Sequence, residues 1–153
     1  MNVEKKIEKS GFKLPKTPEP VAEYIPAKKS GNLVYCSGQG PVKENGEFLY
    51  TGKVGGEVSK EEGYEATQLC ALNALAAIKS AIGSLDKIKS IVKLRGFVNS
   101  TPDFTDQPQV VNGASELMVN IFGEKGRHAR SALGTSVLPD DIPVELEMIV
   151  EVE

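Results

Sequence analysis

An arginine among small residues and a run of regularly spaced glutamates are the side chains best suited to chemistry in this chain. Arg130 follows Ala129 and precedes Ser131 and Ala132, with Gly134 just beyond. A planar guanidinium with such small neighbours can grip a carboxylate through two parallel hydrogen bonds. From Val144 to Glu153 the apolar Val144, Leu146, Met148, Val150 and Val152 alternate with Glu145, Glu147, Ile149, Glu151 and Glu153. This period of two marks a half-buried strand with one face on a core and the other carrying acid. Between the two segments stand Pro139-Asp140-Asp141-Ile142-Pro143, a cluster of turn formers.

Read as a hairpin with Asp140-Asp141 as its loop, these segments pair Arg130 with Glu151, Ala132 with Ile149 and Ser136 with Glu145. Composition alone then favours a cross-strand Arg130–Glu151 ion pair worth a few tenths of a kcal/mol (~0.3) at an exposed site. The sharper reading leaves Arg130 open for an organic acid. In the same register Glu145 lies six residues from the position facing Arg130, about 20 Å at the usual strand rise. The two could then meet only across a subunit boundary or through an irregular loop.

Length and composition bound the remaining possibilities. A chain of 153 residues matches one domain with an ordinary core. A net charge of -3 offers no general attraction for nucleic acid or an anionic membrane. No apolar run approaches the roughly 20 residues that span a bilayer, and Met1 to Lys6 lacks the apolar block of a secretory signal, so the expected location is cytoplasmic. Cys36 and Cys70 lack metal-ligand spacing, and His128 is the single histidine, so neither a metal site nor a cofactor is expected. A structural role is the ordinary reading for such a lone histidine.

The elements that must position these groups follow in order. Residues 2–9 form a short helix closed near Gly11, and Pro15, Pro18, Pro20 and Pro26 keep the next stretch, which contains Tyr24, extended. Leu33 to Ser37 is a strand that stops at Gly38-Gln39-Gly40-Pro41, and Asn45-Gly46 signals a hairpin turn. Ser59-Lys60-Glu61-Glu62 reads as a capping box opening a helix that carries Ala66, Leu69, Cys70, Leu72, Ala76 and Ile78 and ends near Gly83. Ser90 to Asn99 is a strand, with an ion pair as the modest expectation for Arg95. Thr105 or Asp106 caps a second helix with Pro108 in its first turn and Val110, Val111, Leu117, Met118 and Ile121 at core positions, closed at Gly123. Two amphipathic helices cover one face of such a sheet. Its other face, carrying Glu145, Glu147, Glu151 and Ile149, is expected to be partly covered by another subunit.

Taken together, Gly31 to Gln39, the exit from the strand at Val98 to Phe104, Asn112, Ala129-Arg130-Ser131 and Leu138 to Glu147 resemble the RidA/YjgF family, also called endoribonuclease L-PSP, in a divergent branch. The resemblance spans residues 22–153 as a domain, with 1–21 as an N-terminal extension. It implies an α+β, chorismate-mutase-like fold in which a mixed sheet carries two helices on one face, assembled as a homotrimer with clefts between subunits. It further implies a hydrolase that converts enamine and imine acids, such as 2-iminobutanoate and 2-iminopropanoate, to 2-keto acids and ammonia.

Carried over by position, Arg130 matches the arginine that holds the substrate carboxylate and Glu145 the acid that orients or activates water. Tyr24 falls at the spacing of the family's site tyrosine, Ser37 and Gly38 match the strand end lining the cleft, and Asn112 matches a helical asparagine that orders it. Ala132 departs from the family, whose archetypal members often place cysteine there. The implied partners are a small 2-imino or 2-keto acid and two further copies of the chain, with neither nucleic acid nor membrane. The alternatives are an endoribonuclease-type translation inhibitor and a non-catalytic trimer that binds small carboxylates or regulates a partner. With one histidine per chain and acidic charge, the first of these is poorly served.

Overall fold

The strict alternation in the last strand is reproduced residue by residue. In the computed structural model, which describes residues 2–17 and 22–153, every second side chain from Val144 to Val152 is buried and those between are half-buried. The elements in chain order are α1 (Val3–Lys9), β1 (Ala27–Ser30), β2 (Leu33–Gln39), α2 (Lys60–Ile82), β3 (Ile88–Asn99), α3 (Gln107–Phe122), β4 (Ala129–Thr135) and β5 (Val144–Val152). The five strands form one mixed sheet in the order β1-β2-β5-β3-β4, with β3 and β4 parallel and every other pair antiparallel.

Local chemistry accounts for the helix ends. Ser59 accepts from the Glu62 N–H while the Glu62 carboxylate accepts from the Ser59 N–H, so the capping box is complete. Gly83 closes α2 at φ 86°. Asp106 occupies the cap position of α3 but makes no side-chain cap bond; its carboxylate lies 3.5 Å from Lys60 Nζ instead. The N-terminal helix forms as expected, capped by Asn2, and buries Val3 and Ile7 in the main core. Pro18 and Pro20 lie outside the described residues. Asn45-Gly46 does turn the chain, with Gly46 at φ 87°, but pairing extends only to a Val42–Phe48 bridge.

Both long helices lie on the face carrying Val144, Leu146, Met148 and Val150, where Leu75, Ile78, Val111 and Met118 complete the core. Close approach depends on missing side chains. A Cβ on Gly96 would strike Val111, and one on Gly113 would strike the Tyr64 carbonyl, so β3 meets α3 and α3 meets α2 through glycine. Among the described residues no helix covers the other face of the sheet, and Tyr35 is 46% and Leu133 45% exposed. The expected ion pair of Arg95 is present there, 3.5 Å from Glu147.

One strand comes in addition, and one expectation is overturned. β1 is a true strand: Ala27–Ser30 pairs with Leu33–Cys36 across a turn at Gly31, where φ is 59°. More consequentially, β4 and β5 are not a hairpin, because β3 lies between them. The cause is visible in the element order: β3, α3 and β4 form a strand–helix–strand unit, whose crossover makes the two strands parallel neighbours. Arg130 therefore faces Leu94, not Glu151, and Glu151 pairs with Lys89 at 3.4 Å. Asp140 and Asp141 do adopt left-handed φ of 57° and 56°, but in a loop that passes the end of β3. That loop is pinned by the buried Asn99, whose amide nitrogen donates to Asp141 Oδ1 and the Ile142 carbonyl at 3.1 Å each. Lys53 Nζ adds bonds to Asn99 Oδ1 and the Ser136 carbonyl.

Candidate functional site

Arg130 begins on an edge strand, with its Cα facing that of the buried Leu94, so its side chain projects on the helix side of the sheet. There α3 offers two polar residues one turn apart. Nη1 of Arg130 donates to Asn112 Oδ1 at 2.7 Å and to Ser115 Oγ at 3.2 Å. A guanidinium has five N–H donors, two of them on Nη1. With both of those engaged, Nε and Nη2 form the remaining edge, the fork that matches a carboxylate. Among the described residues no carboxylate lies within 4 Å of it. Ala132, two residues on and paired with Gly96, is on the same side and packs against the core.

Glu145 is elsewhere. It pairs with Phe97 on the face that no helix covers, and its carboxylate leans over Gly38, occupying the space a Cβ there would need. Ser37 and Gly38 sit where β2 breaks register against β5, between Cys36 and Gln39. The Ser37 hydroxyl donates to the Ile25 carbonyl at 2.7 Å and its N–H to the Pro26 carbonyl at 2.8 Å. Ser37 thus ties the segment carrying Tyr24, itself 50% exposed, to the end of β2.

The candidate residues therefore fall into two groups. Asn112, Arg130 and Ala132 share the helix side of the β4 edge. Ser37, Gly38 and Glu145 share the other end of the sheet, with Tyr24 tethered beside them. Arg130 faces Leu94, which faces Met148, three residues from Glu145. Two strand spacings and three residue rises separate the Cα atoms by about 14 Å, with the side chains on opposite faces. The hairpin register is thus not what keeps them apart; strand order and face are. One protomer cannot place both groups on one small molecule.

Burial, and after it the charge of Glu147, pushes the Glu145 carboxyl above its ordinary range. For a carboxyl raised on folding, the folded state is favoured below the unfolded-chain pKa, and that advantage is lost as pH rises through the folded value. Glu145→Gln should therefore melt above the unsubstituted protein at neutral pH, with the gap narrowing as pH falls through the raised folded value and closed below about 4. A gap of the same size at both pH values in calorimetry would contradict this assignment.

The thiols are not candidates for chemistry. Burial and then Glu147 push Cys36 up to about 12, and burial and then Glu145 hold Cys70 well above the ordinary thiol range. No cluster of three or more potential metal-binding side chains occurs among the described residues, and no helix among them is long and apolar enough to cross a membrane. Ser115 was missed in the sequence, although polar Asn112 and Ser115, one turn apart beside the core positions of α3, were a readable signal.

Comparison with known proteins bears on the whole chain. Residues 4–150 match the family model described as "YjgF/chorismate mutase-like, putative endoribonuclease". Protein TCP17 of Trypanosoma cruzi is 41% identical over 146 residues, covering 95% of this chain and 91% of that protein. A 2-iminobutanoate/2-iminopropanoate deaminase of Dermatophagoides farinae is 29% identical over 139 residues, covering 91% and 93%. The crystal structure of Atu1372 from Agrobacterium tumefaciens superposes with a TM-score of 0.91 at 44% identity, covering 99% of this chain and 93% of that one.

Proposed function

The chain belongs to the YjgF/chorismate-mutase-like family, and from that premise we propose that it hydrolyses small 2-imino acids to 2-keto acids and ammonia in clefts between the subunits of a homotrimer. The observation that carries this reading is the state of Arg130: Nη1 is held by Asn112 and Ser115, and its other edge has no acid among the described residues. A partly buried guanidinium so arranged is prepared for an anion.

The chemistry asks little more. In 2-iminopropanoate the carboxylate docks on Nε and Nη2 of Arg130, which fixes the iminium carbon beside it. Water adds to that carbon as its proton passes to Glu145, contributed by the neighbouring subunit. The resulting tetrahedral adduct collapses as Glu145 returns a proton to nitrogen. A C=O bond forms as the adduct's hydroxyl proton passes to the Glu145 carboxylate, the C–N bond breaks, and pyruvate and ammonia leave, the proton going on from Glu145 to ammonia or solvent. A half-buried carboxyl raised above its usual range suits this exchange, because acid and base forms are then closer in population near neutrality. The opposite-face placement of Arg130 and Glu145 supports a site completed by a second copy, as do the uncovered face bearing Tyr35 and Leu133 and the unpaired outer edge of β4. The name of the Dermatophagoides farinae relative, with 29% identity along nearly its whole length, supports the same substrate class.

RNA cleavage finds less support. Both ring nitrogens of His128 are engaged, with Ser115 and with the Gly126 carbonyl. The test is direct: generate 2-iminopropanoate in situ and follow pyruvate release with and without the protein. Acceleration proportional to protein concentration is the expected result. Binding of 2-ketobutyrate in calorimetry with no acceleration would favour a non-catalytic carboxylate-binding trimer instead.

A further inference from the structure

Behind Arg130 lies a row of groups that the candidate site residues do not include. Ser115 Oγ is 3.2 Å from Arg130 Nη1 and 2.9 Å from His128 Nε2, and His128 Nδ1 is 2.6 Å from the Gly126 carbonyl oxygen. The directions of these bonds follow from what each atom can do. A carbonyl only accepts, so Nδ1 carries a proton, and in the neutral ring Nε2 is then an acceptor. Ser115 must therefore donate its hydroxyl hydrogen to His128. Its lone pairs then face Arg130, which can only donate.

The far end of this row is fixed by packing. Gly126 lies against the backbone of α3, where a Cβ would collide with the Met118 carbonyl, so its own carbonyl cannot drift without moving α3. His128 enters two residues before Arg130 on the same strand approach, and Ser115 comes from the helix above. The row therefore joins the strand that carries Arg130 to the helix that carries Asn112.

We propose that Ser115 and His128 are positioning residues that, from the Gly126 carbonyl, hold the Arg130 guanidinium in the single orientation that presents its Nε/Nη2 edge to an organic carboxylate. This rests on the reading of Arg130 as carboxylate anchor. Asn112 alone leaves the guanidinium free to swing about one bond; a second acceptor on the same Nη1 stops it. A guanidinium oriented before binding loses less freedom when the ligand arrives, so the row acts on affinity more than on the chemical step.

The experiment has two arms on the full-length protein. In the first, nitrogen-15 NMR reads the His128 ring and the Arg130 Nε–H without any turnover. The expected spectrum shows His128 protonated on Nδ1 with a bare Nε2, and a sharp Arg130 Nε–H that broadens in Ser115→Ala and sharpens again in Ser115→Thr. In the second, Ser115→Ala weakens 2-ketobutyrate binding and raises KM for 2-iminopropanoate about five- to tenfold, with kcat within twofold and an unchanged melting temperature. Ser115→Thr recovers most of the loss, and adding His128→Asn to Ser115→Ala costs little more, as expected of residues in one row. The proposal is overturned by an Arg130 signal indifferent to Ser115→Ala, by proton placement on Nε2 alone, or by unchanged binding beside an active unsubstituted protein. An unsubstituted protein that neither binds the keto acid nor hydrolyses the imine refutes the proposed function, and the first arm still decides the row.

Discussion

Arg130→Ala should lose on the order of a hundredfold in kcat/KM for 2-iminopropanoate hydrolysis while folding normally. Two hydrogen bonds to a charged carboxylate disappear together, and at about 1.5 kcal/mol each their loss corresponds to roughly 3 kcal/mol of transition-state stabilisation. The fold has little stake in this side chain: it sits on an edge strand, half-buried, and its neighbours Asn112 and Ser115 can turn to water. Arg130→Lys should not restore the rate, because an ammonium is a point donor and cannot fill the places of Nη1 and the Nε/Nη2 fork at once. Steady-state kinetics alongside size-exclusion chromatography and calorimetric binding of 2-ketobutyrate make the check. A kcat/KM within threefold of the unsubstituted protein would remove Arg130 from the role given to it here.

Gly113→Ala should be strongly damaging, costing about 3 kcal/mol of stability. Alanine is the better helix former, by about 1 kcal/mol on propensity alone, so a local argument predicts a gain. Packing reverses the sign. The added Cβ would fall inside contact distance of the Tyr64 carbonyl and close to the Thr67 side chain, and backbone of α2 cannot yield as a flexible side-chain tip could. The helices would have to separate along the same crossing where Gly63 lies against Val110. Urea unfolding should show a lower midpoint with unchanged slope, and the melting temperature should fall by roughly 10 °C. Because Asn112 is the next residue, binding of 2-ketobutyrate should weaken in the fraction that still folds. A variant as stable as the parent would mean that the helix crossing is looser than this packing implies.

Gly38 offers the instructive contrast. A Cβ there also meets an obstacle, but the obstacle is the Glu145 carboxylate, the far end of a flexible side chain. The same kind of close approach thus protects the fold at Gly113 and the aim of an acid at Gly38. Sequence treats each as glycine in a turn or a helix; only the neighbour distinguishes them.

Much of the chain could be read residue by residue. Ser59 and Glu62 announced α2, Gly83 and Gly123 its end and that of α3, and the alternation from Val144 to Val152 correctly separated core from acidic face. Each of these is a short-range property: a cap bond spans three residues, and a strand's two faces follow from the pleat. The Arg95–Glu147 pair was also anticipated in kind, though not its partner. The strand β1 was missed because four residues with two lysines carry no alternation, and its pairing with β2 is what orders it.

What sequence determined by itself, then, is where the helices and most of the strands run, which face of β5 is apolar, and, through the pattern of matched motifs, the family. Tertiary structure alone decided that β3 separates β4 from β5, that Arg130 and Glu145 look out of opposite faces, and that Arg130 rests on Asn112 and Ser115. The physical reason is that periodicity records which way a side chain points relative to its own strand, whereas a strand's neighbour is chosen by crossover and core packing over the whole sheet. Arg130 takes its two contacts from residues 18 and 15 positions away on a helix, and no local pattern around the arginine encodes them.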